Sequence, residues 1–213
     1  MTTETSYALT RPAYVDQSHL VVTDLPLVSN FYQSMLGLNV IEKSASGEIL
    51  GVDGTPLLTL TTGKDVRVAP RNAAGLFHTA FLMPSRAELA RWLRHAAHNN
   101  VVLDGASDHL VSEAIYLSDP EGNGIEIYAD RAPSTWRKEN GNIKMATLRM
   151  NIPDVRASVP AGDPGWQGAP DGSVVGHVHL RVGDPTVSEE WWHREFGFDT
   201  LSLIHISEPT RPY

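Results

Sequence analysis

Apolar positions switch twice between period two and helical period along the chain. Residues 17–22 alternate and are rich in β-branched side chains, which predicts a strand. Asp24 follows as a helix N-cap, with Pro26 in the first turn, where its missing N–H costs nothing. Leu27, Phe31, Met35 and Leu38 then recur at helical spacing and predict the buried helix face, and Gly37 supplies a left-handed exit. Three strands are expected next, at Asn39–Lys43, 49–52 and 56–61, punctuated by Ser46 with Gly47 and Asp53 with Gly54.

The same order recurs further on. Residues 76–82 read as a strand, and Ser85 with Glu88 forms a capping box ahead of a helix that buries Leu89, Trp92, Leu93 and Ala96. Asn99 and Asn100 end that helix. Strands are expected at 101–103, 113–117 and 124–128, with a turn over 119–123. Residues 131–172 hold five of the 14 prolines and read as a linker or wrap.

A longer repeat starts at Val174. HLVVTD at 19–24 matches HLRVGD at 179–184, an offset of 160 that also aligns FY at 31–32 with WW at 191–192 and LGL at 36–38 with FGF at 196–198. The expected division is a complete first module over 10–130, the linker over 131–172 and the start of a second module over 173–200. The same offset would end a full second copy near position 288, about 75 residues beyond Tyr213. Residues 201–213 do not follow the repeat and read as a non-native tail, so His205 carries no functional weight. An unfinished second half-barrel is expected to expose apolar faces and strand edges, favouring self-association.

Composition narrows the chemistry. The chain has 213 residues with 41% hydrophobic and 20% charged, enough for a folded core. A net charge of −8 without any basic cluster argues against a nucleic-acid or anionic-membrane partner. The absence of cysteine removes disulfides, thiolate ligands and a thiol nucleophile, leaving nine histidines as the soft ligands. No basic–apolar leader and no run near ~18 apolar residues is present, so a cytoplasmic protein is expected. No GxSxG elbow or glycine-rich phosphate loop occurs.

The pattern resembles the vicinal oxygen chelate superfamily of glyoxalases, bleomycin-resistance proteins and extradiol dioxygenases. HLVVTD at 19–24 and DPEGNGIEIY at 119–128 carry the resemblance. GLFHTAFLMPSRAELA at 75–90, SDHLVSEAIYLSDP at 107–120 and GHVHL at 176–180 make it most similar to two-module catechol 2,3-dioxygenases. The resemblance implies an α+β fold of paired βαβββ half-barrel units. It also implies a divalent metal, Fe(II) with Mn(II) as the alternative, held by two histidines and a carboxylate. The substrates implied are O2 and a small catechol-type aromatic diol, in a parent protein expected to be a homo-oligomer.

The superfamily places its first ligand seven residues before the Asp that precedes the helix. In the second module that position is His177, with His179 beside it on the strand. The two remaining ligands would fall near positions 238 and 286, so the chain would supply one ligand of three and lack dioxygenase activity. In the first module the same count gives Gln17, with His78 and Glu126 at the other two positions and His19 as a substitute for Gln17. That weaker set is expected to be inward-facing polar residues without metal. His109 reads as structural and Tyr128 as core. The alternatives are a glyoxalase-like metal-dependent isomerase or lyase and a metal-free small-molecule binding module.

Overall fold

The computed structural model describes residues 7–70, 72–139 and 141–200, so the tail at 201–213 lies outside the described residues. Two βαβββ units follow a 3-10 turn at Tyr7–Thr10. The first runs β1 (Ser18–Val21), α1 (Leu25–Met35), β2 (Asn39–Lys43), β3 (Gly47–Val52) and β4 (Thr55–Thr61). The second runs β5 (Gly75–Leu82), α2 (Arg86–His98), β6 (Gly105–Asp108), β7 (Ser112–Ser118) and β8 (Gly124–Asp130). Each unit has one topology: the first strand pairs parallel with the last, and the middle strands follow as an antiparallel meander. The fold is α+β, of the paired βαβββ kind expected from the sequence.

Local chemistry sets the element ends. Asp24 caps α1 by accepting from the Leu27 N–H, and Ser85 caps α2 by accepting from the Glu88 N–H. The buried face of α2 is the expected one. On α1 the buried face is Leu25, Val28, Ser29 and Tyr32, and Leu27 points outward. The set starting at Leu25 recurs at three and four residues and continues to Leu36, so it makes the wider stripe. The expected strand at 101–103 is absent; Val102 is exposed there, and pairing begins with Gly105 opposite Tyr116.

One apolar core joins the two units. Trp92 lies wholly buried between the helices, its Nε1–H donating to the Met35 carbonyl at 2.9 Å. Glu121, in the β7–β8 turn, accepts from the Thr23 and Asp24 N–H groups and the Thr23 hydroxyl, clasping the start of α1. The proline-rich stretch runs back over the second unit. It holds β9 (Lys138–Glu139), β10 (Asn142–Ile143), β11 (Leu148–Arg149) and α3 (Ile152–Ala157). β11 pairs with β6, and Met150, Val155 and Val159 enter the core.

Strand β12 (Val174–Arg181) then pairs antiparallel with β5 and forms the edge of a six-stranded sheet ordered β11-β6-β7-β8-β5-β12. The β5–β12 ladder slips register twice, between Val175 and His177 and between His179 and Leu180. Helix α4 (Pro185–Phe196) follows, capped by Asp184 and closed by Gly197 at φ 67°. It buries none of its residues, leaving Val187, Trp191 and Phe196 exposed, with Phe198 exposed just beyond.

Candidate metal centre

Three neighbouring strands of the larger sheet bring His78, Glu126 and His177 together. Glu126 on β8 and His177 on β12 both stand in register with Ala80 on β5, one on either side. His78 lies two residues before Ala80, on the same face of β5. Glu126 Oε2 is 3.0 Å from His78 Nε2 and 3.3 Å from His177 Nε2. The three ligand atoms lie within 4.8 Å of one another. His78 and Glu126 are buried, and His177 is half-exposed on the edge strand, so the site opens to solvent on its side.

The donor set fits a divalent metal. His78 Nε2 is buried and makes no aligned hydrogen bond, although the Glu126 carboxylate stands beside it. A buried polar atom left in this state is costly unless something completes it. Two imidazoles and one carboxylate on three strands are the donor types of two-histidine, one-carboxylate metal sites. Burial pushes the Glu126 carboxyl up, but the neighbouring His177 and His78 imidazoles reverse this and hold it well below the usual carboxylate range.

Polar and aromatic residues surround the triad. Tyr116 on β7 stands directly opposite Glu126, and its hydroxyl is 2.8 Å from His109 Nε2. The His109 Nδ1 is 2.9 Å from the Ala146 carbonyl, which can only accept, so Nδ1 carries a proton. Burial, with Glu126 nearby, pushes the Tyr116 hydroxyl well above its ordinary value, so it stays protonated. The Tyr128 ring lies 5.0 Å from the His177 ring. Asp130 shares that face of β8; burial pushes its carboxyl up to about 6, with His177 opposing and Glu126 adding. The His179 ring lies 4.8 Å from His78.

The structure groups the expected residues differently from the sequence reading. His177, expected with ligands beyond Tyr213, sits beside His78 and Glu126, because β12 adds to the edge of the second unit's own sheet. His19 stays on β1 of the other sheet, where its Nε2 is 2.7 Å from Thr61 Oγ1, and it does not join the triad. Tyr116 was missed, although pairing the strands about the 119–123 turn sets it opposite Glu126. Among the described residues, no helix is long and apolar enough to cross a membrane.

Residues 13–127 match the model of the Glyoxalase/Bleomycin resistance protein/Dioxygenase superfamily. The chain is 36% identical over 191 residues to a catechol-2,3-dioxygenase of Bacillus subtilis. That match covers 88% of this chain and 66% of the relative, so the chain spans just under two thirds of the relative's length. Among solved structures, a glyoxalase/dioxygenase from Nostoc punctiforme is 20% identical with a TM-score of 0.48, covering 55% of this chain and 91% of its own. A lactoylglutathione lyase from Agrobacterium tumefaciens is 22% identical with a TM-score of 0.45, covering 55% and 94%.

Proposed function

The chain belongs to the Glyoxalase/Bleomycin resistance protein/Dioxygenase superfamily, and from that premise we propose that its metal centre serves extradiol ring cleavage of a catechol-type aromatic. The observation that carries this reading is the buried His78–Glu126 pair completed by His177, two imidazoles and a carboxylate that could hold a divalent ion. His78, Glu126 and His177 would hold Fe(II), with Mn(II) as the alternative, and the bound ion would supply the redox chemistry that activates O2 toward the diol. In the proposed reaction both atoms of O2 enter the product and a ring carbon–carbon bond beside the diol breaks.

The chain's own residues have distinct tasks in this reading. His78, Glu126 and His177 hold the ion. Tyr116, opposite Glu126, gives its one hydroxyl proton to His109 Nε2 and so presents an acceptor oxygen to a hydroxyl of the substrate. The half-exposed side at His177 and His179 is the way in. The expectation of an inactive chain rested on ligands beyond Tyr213, and the meeting of His177 with His78 and Glu126 removes that ground. Residues 173–200 are part of the proposal as the opening of a further βαβββ module, because β12 and α4 repeat the strand, Asp cap and glycine exit of β1 and α1. The cytoplasmic setting belongs to the same proposal.

The test is anaerobic loading with Fe(II), then catechol and air, with O2 uptake and product absorbance followed together. Uptake is expected, and both His78→Ala and His177→Ala should abolish it. Stoichiometric catechol binding without O2 uptake would instead favour a binding module. Turnover that survives His78→Ala would put the reacting centre elsewhere.

A further inference from the structure

The two register slips in the β5–β12 ladder frame the metal centre. Val174 and Val175 pair with Leu82 and Phe81; then Gly176 is passed over and His177, Val178 and His179 pair with Ala80, Thr79 and His78. On the other strand Phe77 is passed over, and Leu180 and Arg181 resume with Leu76 and Gly75. Each slip is a one-residue bulge, on opposite strands, so the second cancels the first. The shifted register is confined to the segment that carries the histidines.

The shift decides which way His177 faces. Residues directly opposite each other in an antiparallel pair share a face, and a slip of one residue turns a side chain over. Without the first bulge Gly176 would stand opposite Ala80 and His177 opposite Thr79, on the core side of the sheet. Thr79 is buried there, its hydroxyl donating to Ser18 Oγ at 3.0 Å. With the bulge, His177 stands opposite Ala80, on the face of His78 and Glu126. Position 176 has no room for a side chain: a Cβ there would run into the Tyr128 hydroxyl and crowd Leu82 Cβ at 3.1 Å. At the second bulge the extra residue is Phe77, and Gly124 on the neighbouring β8 leaves room for its carbonyl, which a Cβ there would strike.

We propose that Gly176 is a positioning residue for the metal centre: as the side-chain-free extra residue of a bulge, it turns His177 out of the core face and onto His78 and Glu126. This inference rests on the metal-centre reading. It makes an unusual prediction. Substituting Gly176 fills the space Tyr128 uses and damages the site, whereas deleting Gly176 removes the first bulge, leaves the one at Phe77, and keeps His177 paired with Ala80 and His179 with His78.

The experiment titrates Co(II) into the unmodified chain, His78→Ala, His177→Ala, Gly176→Ala and the Gly176 deletion. Affinity and the visible Co(II) spectrum are recorded, with circular dichroism as the check on folding. Gly176→Ala is expected to weaken binding about 10–100-fold, the usual cost of disturbing a residue that orients a ligand. Adding His177→Ala to it should cost nothing more, and the deletion should bind as the unmodified chain does. A merely structural glycine would make deletion at least as harmful as substitution, and that result overturns the inference. Undiminished binding by Gly176→Ala overturns it too. If the deletion does not fold, Gly176→Ala with Tyr128→Leu carries the test: recovered binding supports the inference and no recovery overturns it. No Co(II) binding by the unmodified chain, or binding indifferent to His78→Ala, overturns the metal-centre reading and this inference with it.

Discussion

A divalent metal should raise the thermal stability of this chain, by an amount set by where its ligands lie. His78, Glu126 and His177 come from β5, β8 and β12 and are far apart in sequence, so an unfolded chain offers no comparable site. Binding to the folded state alone stabilises it by about 2.7 kcal/mol when free metal stands at about a hundred times its Kd. For a chain of this length each 1 kcal/mol is worth roughly 2–4 °C, so a rise of roughly 5–10 °C is expected. Mn(II) is a convenient probe because it resists air oxidation, and differential scanning calorimetry at several concentrations gives the slope as well as the shift. The rise should grow with the logarithm of metal concentration. It should vanish in His78→Ala and Glu126→Ala and be much reduced in His177→Ala, whose side chain is half in solvent already. An equal rise in Glu126→Ala would refute the reasoning, because the buried carboxylate is the site's one anionic ligand among the triad.

Three further outcomes follow from the packing. Trp92→Phe removes the bond to the Met35 carbonyl with little loss of apolar volume and should cost about 1–2 kcal/mol in urea unfolding, against about 3–5 kcal/mol for Trp92→Ala. Arg86 bonds the buried Glu113 at 2.9 Å and Asp154 at 2.6 Å; Arg86→Met should cost about 1–3 kcal/mol by the same assay, less than a fully buried pair because the guanidinium is partly exposed. Burial raises the Glu121 carboxyl, but donors from Thr23 and Asp24 lower it below its ordinary value on balance. The clasp therefore contributes above the unfolded carboxyl pKa and is lost as pH falls through the lower folded value, so the stability gap to Glu121→Gln should close in acid unfolding.

Much of the fold was legible because periodicity and capping agree. Asp24, Ser85 and Asp184 each mark a helix start, and the two strand–helix–meander units follow from the order of period changes. The face of α1 was misread because Leu27 and Leu25 both begin plausible stripes, and only the sheet beneath selects the set with Tyr32. Residues 101–103 are apolar but leave a helix end, where the Val101 N–H bonds back to the Ala96 carbonyl, and pairing with β7 begins only at Gly105. The triad's chemistry was visible in His78, Glu126 and His177, but their meeting was not. Spacing within a repeat says nothing about which edge a later strand will join. The bulge at Gly176 was equally hidden, since alternation along β12 alone does not reveal where its partner slips.

β12 being an edge strand also bears on how the centre would exchange its ion. Two of the proposed ligands sit on interior strands and the third on a strand that, among the described residues, is paired along one side only. Edges fray at far lower free energy than interiors open. Release of a bound ion would then wait on the momentary peeling of β12, which carries His177 away from the other two ligands. The rate at which a chelator strips the protein should level off at high chelator concentration, at the peeling rate of that strand. Anything that covers the outer side of β12 would slow the loss without touching a ligand, so the lifetime of the loaded state is governed at the border of the sheet.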